Sequence, residues 1–499
     1  MIGYIEVAVI FMTVGLSVYL YFKTSYTYWE KRKVPYIQPS IPWGTNDNPL
    51  RLSKSLLVQL KDFYNEFKAK GHAFGGLYFV ATPVLLVVEP ELIKKVLTKD
   101  FQYFTSHGIH VDEEKEPVSG NLFSLDGEKW KNMRVKLTPT FTSGKMKMMY
   151  HTMLKCGEPM IEHIRTLSSN GKPLNSKDVL ACFTTDVIGS CAFGVECNSF
   201  KDPDAEFRKH GRQLFQLTWK SSLYRFINLL IPRLRLSTLN KETKEFFVNT
   251  FSNITTYRKK MNFKRNDFVQ LMLEINEKAE ANGSNDILNV GQMTAQSIMF
   301  FAAGFETSST TMTFCLHELA HNLDIQDRLR KEINLTMQKY DGKLTYDGIM
   351  EMKYLNMVID ETLRKYPPGS LINRVCTKDY IIEETGTKIE AGTRVFISIL
   401  GLHSDPEYFP NPEKFDPQRF SDENKSQIHP FTYLPFGEGP RICIGLRFGV
   451  LQAKIGLCLL LKNFVVTPHK SLKYNMKIHK NSQVLSFEDD VLLNMEKIK

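Results

Sequence analysis

The sequence predicts a mostly α-helical fold with a small β region, built as a single large domain behind an N-terminal transmembrane helix. Three observations carry this reading. Between Gln292 and Leu323 the chain has no proline and an almost uncharged middle, the pattern of a long helix buried on most sides. Strand signals are few and local, and most of the remaining chain has helical spacing. After Pro35, Pro39 and Pro42, no Gly/Ser-rich linker, repeat or low-complexity run interrupts the chain. It therefore does not divide into the domains of roughly 150 residues that its length would allow.

Val7 to Phe22 carries no charged residue and lies between Glu6 and Lys23. With the residues before it, the run reaches the roughly 20 needed to span a bilayer. Tyr19, Tyr21, Tyr26, Tyr28 and Trp29 read as an interfacial aromatic cluster. Lys31, Arg32 and Lys33 then place the following chain on the cytosolic side. No basic segment precedes the apolar run and no small-x-small site follows it, so an anchor is a better reading than a cleaved signal peptide. Residues 1–22 are thus an anchor, 23–45 a basic, proline-rich linker and 46–499 the domain. Sequons at Asn253, Asn282, Asn334 and Asn424 would be inert on the cytosolic side. Leu77 to Val80 and Val84 to Val88 predict one hairpin, and residues 380–398, with Gly386 and Gly392 as turn signals, predict another. Leu223 to Leu236 is either a segment dipping into the membrane or an amphipathic helix packed on the domain.

Of the 499 residues, 42% are hydrophobic and 12% aromatic, with 34 Phe, so an apolar interior is expected. The net charge of +10 fits an anionic membrane surface or an acidic partner. The basic residues are dispersed, without interleaved aromatics or zinc-finger spacing, which argues against nucleic acid. Eight Cys without a C-x-x-C pair argue against a zinc ribbon or a dithiol redox site, and predict reduced thiols. No G-x-G-x-x-G follows a strand and no Walker A is present, so the chain has no visible nicotinamide, flavin or nucleotide module.

Residues 436–445 read Phe-Gly-Glu-Gly-Pro-Arg-Ile-Cys-Ile-Gly. Gly437 and Gly439 allow a tight loop whose amides can point at the sulfur of Cys443. A helical pattern begins after Gly445, so Cys443 sits near a helix N-terminus, where an anion is favoured. Phe436 is placed to limit water at the sulfur, and Arg441 to pair with a carboxylate. A lone Cys is most often a buried structural residue. The other seven keep that reading, and Cys443 does not, because a Phe, two Gly, an Arg and a further Gly are spaced around it.

This run resembles the haem-binding signature of the cytochromes P450, F-x-x-G-x-R-x-C-x-G, at every fixed position. The resemblance implies the cytochrome P450 fold, haem b (iron protoporphyrin IX) as cofactor and Cys443 as axial ligand to the iron. Further motifs follow in the family's order. Trp130 and Arg134, four apart on one helix face, resemble a propionate-binding pair, and Arg374 another propionate contact. Ala303-Gly304-Phe305-Glu306-Thr307-Ser308 lies in the long apolar helix. Thr307 can bond back to Ala303, and with Gly304 could open a local bulge. Taken alone, this is a Ser/Thr-rich packing face. The resemblance makes it the oxygen-activation motif, with Thr307 facing iron-bound oxygen and Glu306 relaying protons. Glu361 and Arg364 read alone as a surface ion pair. The resemblance makes them, with Arg419 of Pro417-Gln418-Arg419-Phe420, a buried scaffolding triad. Residues 186–194 and 303–311 look closest to insect microsomal detoxification members. Glu488-Asp489-Asp490 departs from the Gly-rich turn many relatives carry there.

The implied reaction is insertion of one oxygen atom from O2 into a lipophilic small molecule, at the endoplasmic reticulum membrane. The resemblance implies electrons from an NADPH-dependent diflavin reductase, with cytochrome b5 as a further partner. Lys131, Lys136, Lys145, Lys147 and Arg447 form either its docking face or a solvated charge cluster. Pocket positions carried over by analogy are Phe104, His107, Phe123, Phe300, Phe301, Ala303, Leu371 and Val484. Clearance of xenobiotics such as plant toxins or insecticides stands beside a dedicated hydroxylation or epoxidation of a steroid, juvenoid or fatty acid. Two other readings stay open: a haem-thiolate binder of gas or lipid without turnover, and a peroxide isomerase or dehydratase. The Glu306-Thr307 pair argues against the first, and Thr307 with the anchor against the second.

Overall fold

The computed structural model describes residues 4–48, 53–113, 116–202, 204–215, 224, 227, 240–284 and 287–498. The segment 223–236, expected at a membrane surface, lies outside them except for 224 and 227. Helix α1 (Tyr4–Ser25) is long and apolar enough to cross a membrane, and Phe22 at its base is its one buried side chain.

Strands β1 (Phe74–Phe79) and β2 (Thr82–Val87) form the first expected hairpin. With β3 (Leu371–Val375) and β4 (Arg394–Ser398) they make a four-stranded sheet in the order β1-β2-β4-β3. Only β2 and β4 run parallel. The second expected hairpin is split. Tyr380–Ile382 pairs with Thr387–Ile389 around Gly386, and after a turn at Gly392 (φ +91°) the chain leaves to become β4. Val395 and Ile397 are almost fully buried against the sheet core, which the short local hairpin has no room to provide.

The proline-rich segment after α1 packs against the sheet. Trp29 is fully buried, and its indole N–H donates to the Leu77 carbonyl at 3.0 Å. Gly76 leaves the space, since a Cβ there would collide with the Trp29 ring. Amides of Ile37 and Gly76 bond across to Gly76 and Pro35 carbonyls, and Thr45 to Tyr78. Arg32 stacks on Tyr28 at 3.6 Å and pairs with Glu390 at 2.6 Å. The aromatics read as interfacial are thereby divided: Tyr19 and Tyr21 stay exposed, while Trp29 belongs to the sheet. Burial of a Trp outweighs any gain from leaving it at a surface.

The helices that position the site are α2 (Gly127–Leu137), α3 (Ser176–Ile188), α4 (Val290–His321), α5 (Lys353–Lys365) and α6 (Leu446–Asn463). Asn289 and Gln292 start α4 with a reciprocal capping box. Its apolar length then runs through the core, packed on α3, α5 and α6. It stays α-helical throughout, so the bulge expected at Gly304–Thr307 is absent. A Cβ at Gly304 would press on the Ile188 side chain, so the glycine serves the close approach of α3 and α4. Helices and sheet form two large apolar cores beside a small cluster around Phe314, and a cavity opens between the large two.

Candidate active site

The Cys443 loop is shaped by its own backbone. Gly437 and Gly439 adopt φ of +72° and +77°, and a Cβ on Gly439 would collide with the Leu97 carbonyl. The Cys443 amide donates to the Phe436 carbonyl at 2.9 Å, and Gly437 to Leu434 at 3.0 Å. Helix α6 starts three residues after the sulfur. The sulfur is deep in the molecule, yet its surface is open to a cavity of about 420 Å³. Burial pushes the thiol pKa up, while the Gly445 amide, the charge of Arg134 and the Leu446 amide oppose it. A soft cation at the sulfur would favour the thiolate outright.

Thr307 reaches the same cavity from α4, with Ala303 and Gly304 beside it. Its hydroxyl donates to the Ala303 carbonyl at 2.6 Å, the back-bond expected of a helical Thr. Glu306 does not line this cavity. Its carboxylate accepts from Lys177 of α3 at 2.7 Å, and Lys177 also reaches Thr310 at 2.6 Å. Adjacent residues on a helix point about 100° apart, so one faces the cavity and the other faces α3.

Three guanidinium groups gather at the cavity. Arg441 is buried and lies 4.4 Å over the Trp130 ring, donating to Leu125 O at 2.6 Å and to Asp126 at 3.2 Å. Arg374 is buried and donates to the carbonyl of Asn373. Arg134 and Trp130 reach the cavity from α2. The Nε groups of Arg374 and Arg441 find no acceptor among the described residues, and Asp126 is the one carboxylate there that pairs with any of the three arginines. Burial and the charge of Arg441 push Arg374 down to about 10. His107, also on the cavity, is pushed down to about 3 by burial, then by Arg374 and Arg441, so it is neutral. Its Nδ1 bonds the Phe123 carbonyl at 2.9 Å.

Of the pocket positions expected by analogy, His107, Phe123, Phe300, Ala303 and Leu371 line the cavity. Phe104, Phe301 and Val484 do not. Phe104 packs on Tyr380 in the sheet core, and Phe301 joins Phe193, Phe207 and Phe247 in an aromatic cluster behind α4. Val484 is buried outside the cavity wall. A buried Phe carries the same sequence signal whether it faces a cavity or a core. Unanticipated lining comes from Phe141, Phe268 and Ile372, which no motif marks. Glu488, Asp489 and Asp490 are exposed, so they shape the surface and not the pocket.

Glu361, Arg364 and Arg419 come together. Arg364 donates to both Glu361 oxygens at 2.8 and 2.9 Å, and Arg419 approaches at 3.5 Å. Glu361 and Arg364 are almost fully buried, which removes the surface-pair reading. The expected docking residues are tied to local acids: Lys147 to Asp347 at 2.8 Å, and Lys145 to Glu274 and Lys131 to Glu128 at 4.0 Å. Arg447 bonds the Phe141 carbonyl.

An iron porphyrin presents a flat apolar ring, two carboxylates and an iron in need of an axial ligand. The cavity offers an apolar wall, buried guanidinium donors with unsatisfied Nε groups and the Cys443 sulfur, so its residues fit that group. The chain matches the family model described as Cytochrome P450 over residues 48–494. It is 39% identical to cytochrome P450 6a2 of Drosophila melanogaster, covering 97% of this chain and 98% of that one. It is 40% identical to cytochrome P450 6k1 of Blattella germanica, over 99% and 97%. It is 38% identical to cytochrome P450 6A1 of Musca domestica, over 97% and 96%. The chain belongs to the cytochrome P450 family and is a haem-iron monooxygenase.

Proposed function

We propose that this monooxygenase acts on lipophilic foreign compounds, with electrons delivered by an NADPH-dependent diflavin reductase at the endoplasmic reticulum membrane. One observation carries the reading: a single, largely apolar cavity reaches both the Cys443 sulfur and the Thr307 hydroxyl. Relatives among insect P450s of the same numbered series support the xenobiotic part.

When bound, haem b supplies the activation of dioxygen. The chain's residues do the rest. Cys443 would hold the iron through its sulfur, which the Gly445 and Leu446 amides face at the start of α6. Arg134, Arg374, Arg441 and Trp130 would hold the propionates. Thr307 is the hydroxyl available to a polar group in the cavity. A proton path through Glu306 requires it to leave Lys177 first. Phe123, Phe300, Ala303 and Leu371 exclude water and hold the substrate. Residues 1–22 anchor the chain, with the catalytic domain on the cytosolic face. Lys131, Lys136, Lys145, Lys147 and Arg447 form the face for the reductase, and cytochrome b5 is a second candidate there.

The test is the reduced, carbon-monoxide difference spectrum of the chain without residues 1–22, with Cys443→Ser alongside. A strongly red-shifted Soret band that disappears in Cys443→Ser is expected. A band at the position of His-ligated haem in a folded preparation would overturn the reading. Turnover of a lipophilic panel tests the substrate class, and acceptance of one compound alone would defeat it. Charge reversal at Lys136 and Lys147 should raise the reductase needed for half-maximal turnover. Unchanged turnover at low salt removes the docking face.

A further inference from the structure

His403 has no part in the cavity. It ends the short helix Ile399–His403, fully buried, with its ring stacked on Tyr433 at 5.3 Å. Its hydrogen bonds fix its tautomer. The Leu434 amide donates to Nε2 at 2.8 Å, so Nε2 is an acceptor. Nδ1 therefore carries the proton and donates to the Arg364 carbonyl at 3.1 Å. Burial, helped by the Arg364 charge, keeps the ring neutral. Arg364 in turn donates to the His403 carbonyl at 3.0 Å, while Glu361 clamps Arg364. The imidazole is thus held from below by the buried ion pair.

From above, it holds the arm that leads to the sulfur. The Leu434 carbonyl accepts the Gly437 amide, and the Phe436 carbonyl accepts the Cys443 amide. Leu434 to Phe436 belongs to no helix or strand, so its position depends on bonds of this kind. Without an acceptor, the buried Leu434 N–H would be left unpaired. We infer that His403 is a positioning residue: its Nε2, braced by Arg364 and Glu361, fixes the Leu434 peptide and so aims the Cys443 loop. The inference rests on the haem-thiolate reading above.

The test uses the full chain. His403→Phe keeps a ring and removes the acceptor. His403→Gln reaches Leu434 with a carbonyl oxygen, and His403→Asn falls short of it. Hydrogen exchange across residues 430–443 and the reduced carbon-monoxide spectrum are read together, with circular dichroism for overall folding. In Phe and Asn variants, exchange of the Leu434 and Gly437 amides should rise about tenfold. The thiolate Soret band should give way to that of a neutral ligand. His403→Gln should restore both. Wild-type exchange and spectrum in folded Phe and Asn variants overturn the inference. Where His403→Phe does not fold, Asn against Gln decides: loss in one with rescue in the other supports it, and equal behaviour overturns it. A wild-type protein without the red-shifted band defeats the parent reading instead, whatever the variants do.

Discussion

Two sets of buried arginines lie in one domain and mean opposite things. In Arg364, Nε, NH1 and NH2 all have acceptors, supplied by Glu361, His403 and Pro412. Arg374 and Arg441 are buried nearly as deeply, yet their Nε groups have no acceptor among the described residues. Burial of a cation is tolerated when it is paired and strongly disfavoured when it is not. The first set is complete in the protein alone and holds its shape. The second borders the cavity with free Nε groups, which an anionic group held there would satisfy. Burial alone separates neither set from the other; the acceptors do.

The largest effect should come from opening the complete set. Glu361→Gln leaves Arg364 buried beside a neutral amide, at a cost of about 3–5 kcal/mol. Calorimetry of the apoprotein should show a much lower melting temperature. Arg374→Leu should do the reverse: the apoprotein melts no lower than wild type, because an unpaired buried charge has gone. Its haem should dissociate about 10–100 times faster, for about 1.5–3 kcal/mol of lost charge-assisted bonding. An Arg374→Leu apoprotein that melts well below wild type would erase the distinction.

Acid sharpens it further. His403 and His107, one beside each set, are both pushed down to about 3. Their folded values lie below the unfolded value near 6.5, so the stability they contribute is full above that pH. It is lost as pH falls from about 6.5 towards 3, with a slope of about 1.4 kcal/mol per unit for each group. Arg374 and Arg441 help depress His107, and carboxylates bound there would offset them. Haem should therefore soften the acid response that His107→Phe removes, and leave that of His403→Gln untouched; melting temperature against pH reads both. The smallest effect is on the surface. Lys147→Glu breaks an exposed pair with Asp347 and should leave the melting temperature close to that of wild type.

Much of the site was legible because its signals are local. The glycines of the Cys443 loop answer to positive φ and to a close approach at Leu97, and both needs are met within a few residues. The long helix and the first hairpin follow from periodicity and a turn. What was not legible depended on distant partners. Glu306 and Thr307 are neighbours in sequence, but the helix points them about 100° apart, and Glu306 meets Lys177, far earlier in the chain. Phe104 and Phe301 differ from Phe123 and Phe300 only in what faces them. Trp29 sits among prolines and lysines, and its socket exists only because Gly76 lies opposite. His403 carried no motif at all; its meaning comes from Leu434 and Arg364 together.

The docking of Trp29 has a mechanical consequence. A flexible tether of about twenty residues would let a domain wander about 25 Å from its attachment. Here the chain leaving α1 is pinned at once, through Tyr26 to Tyr78, Trp29 to Leu77 and Arg32 to Glu390. The apolar helix is a shaft fixed to the sheet and not a leash. A bilayer that takes up the shaft therefore takes hold of β1, and with it chooses which face of the domain looks down.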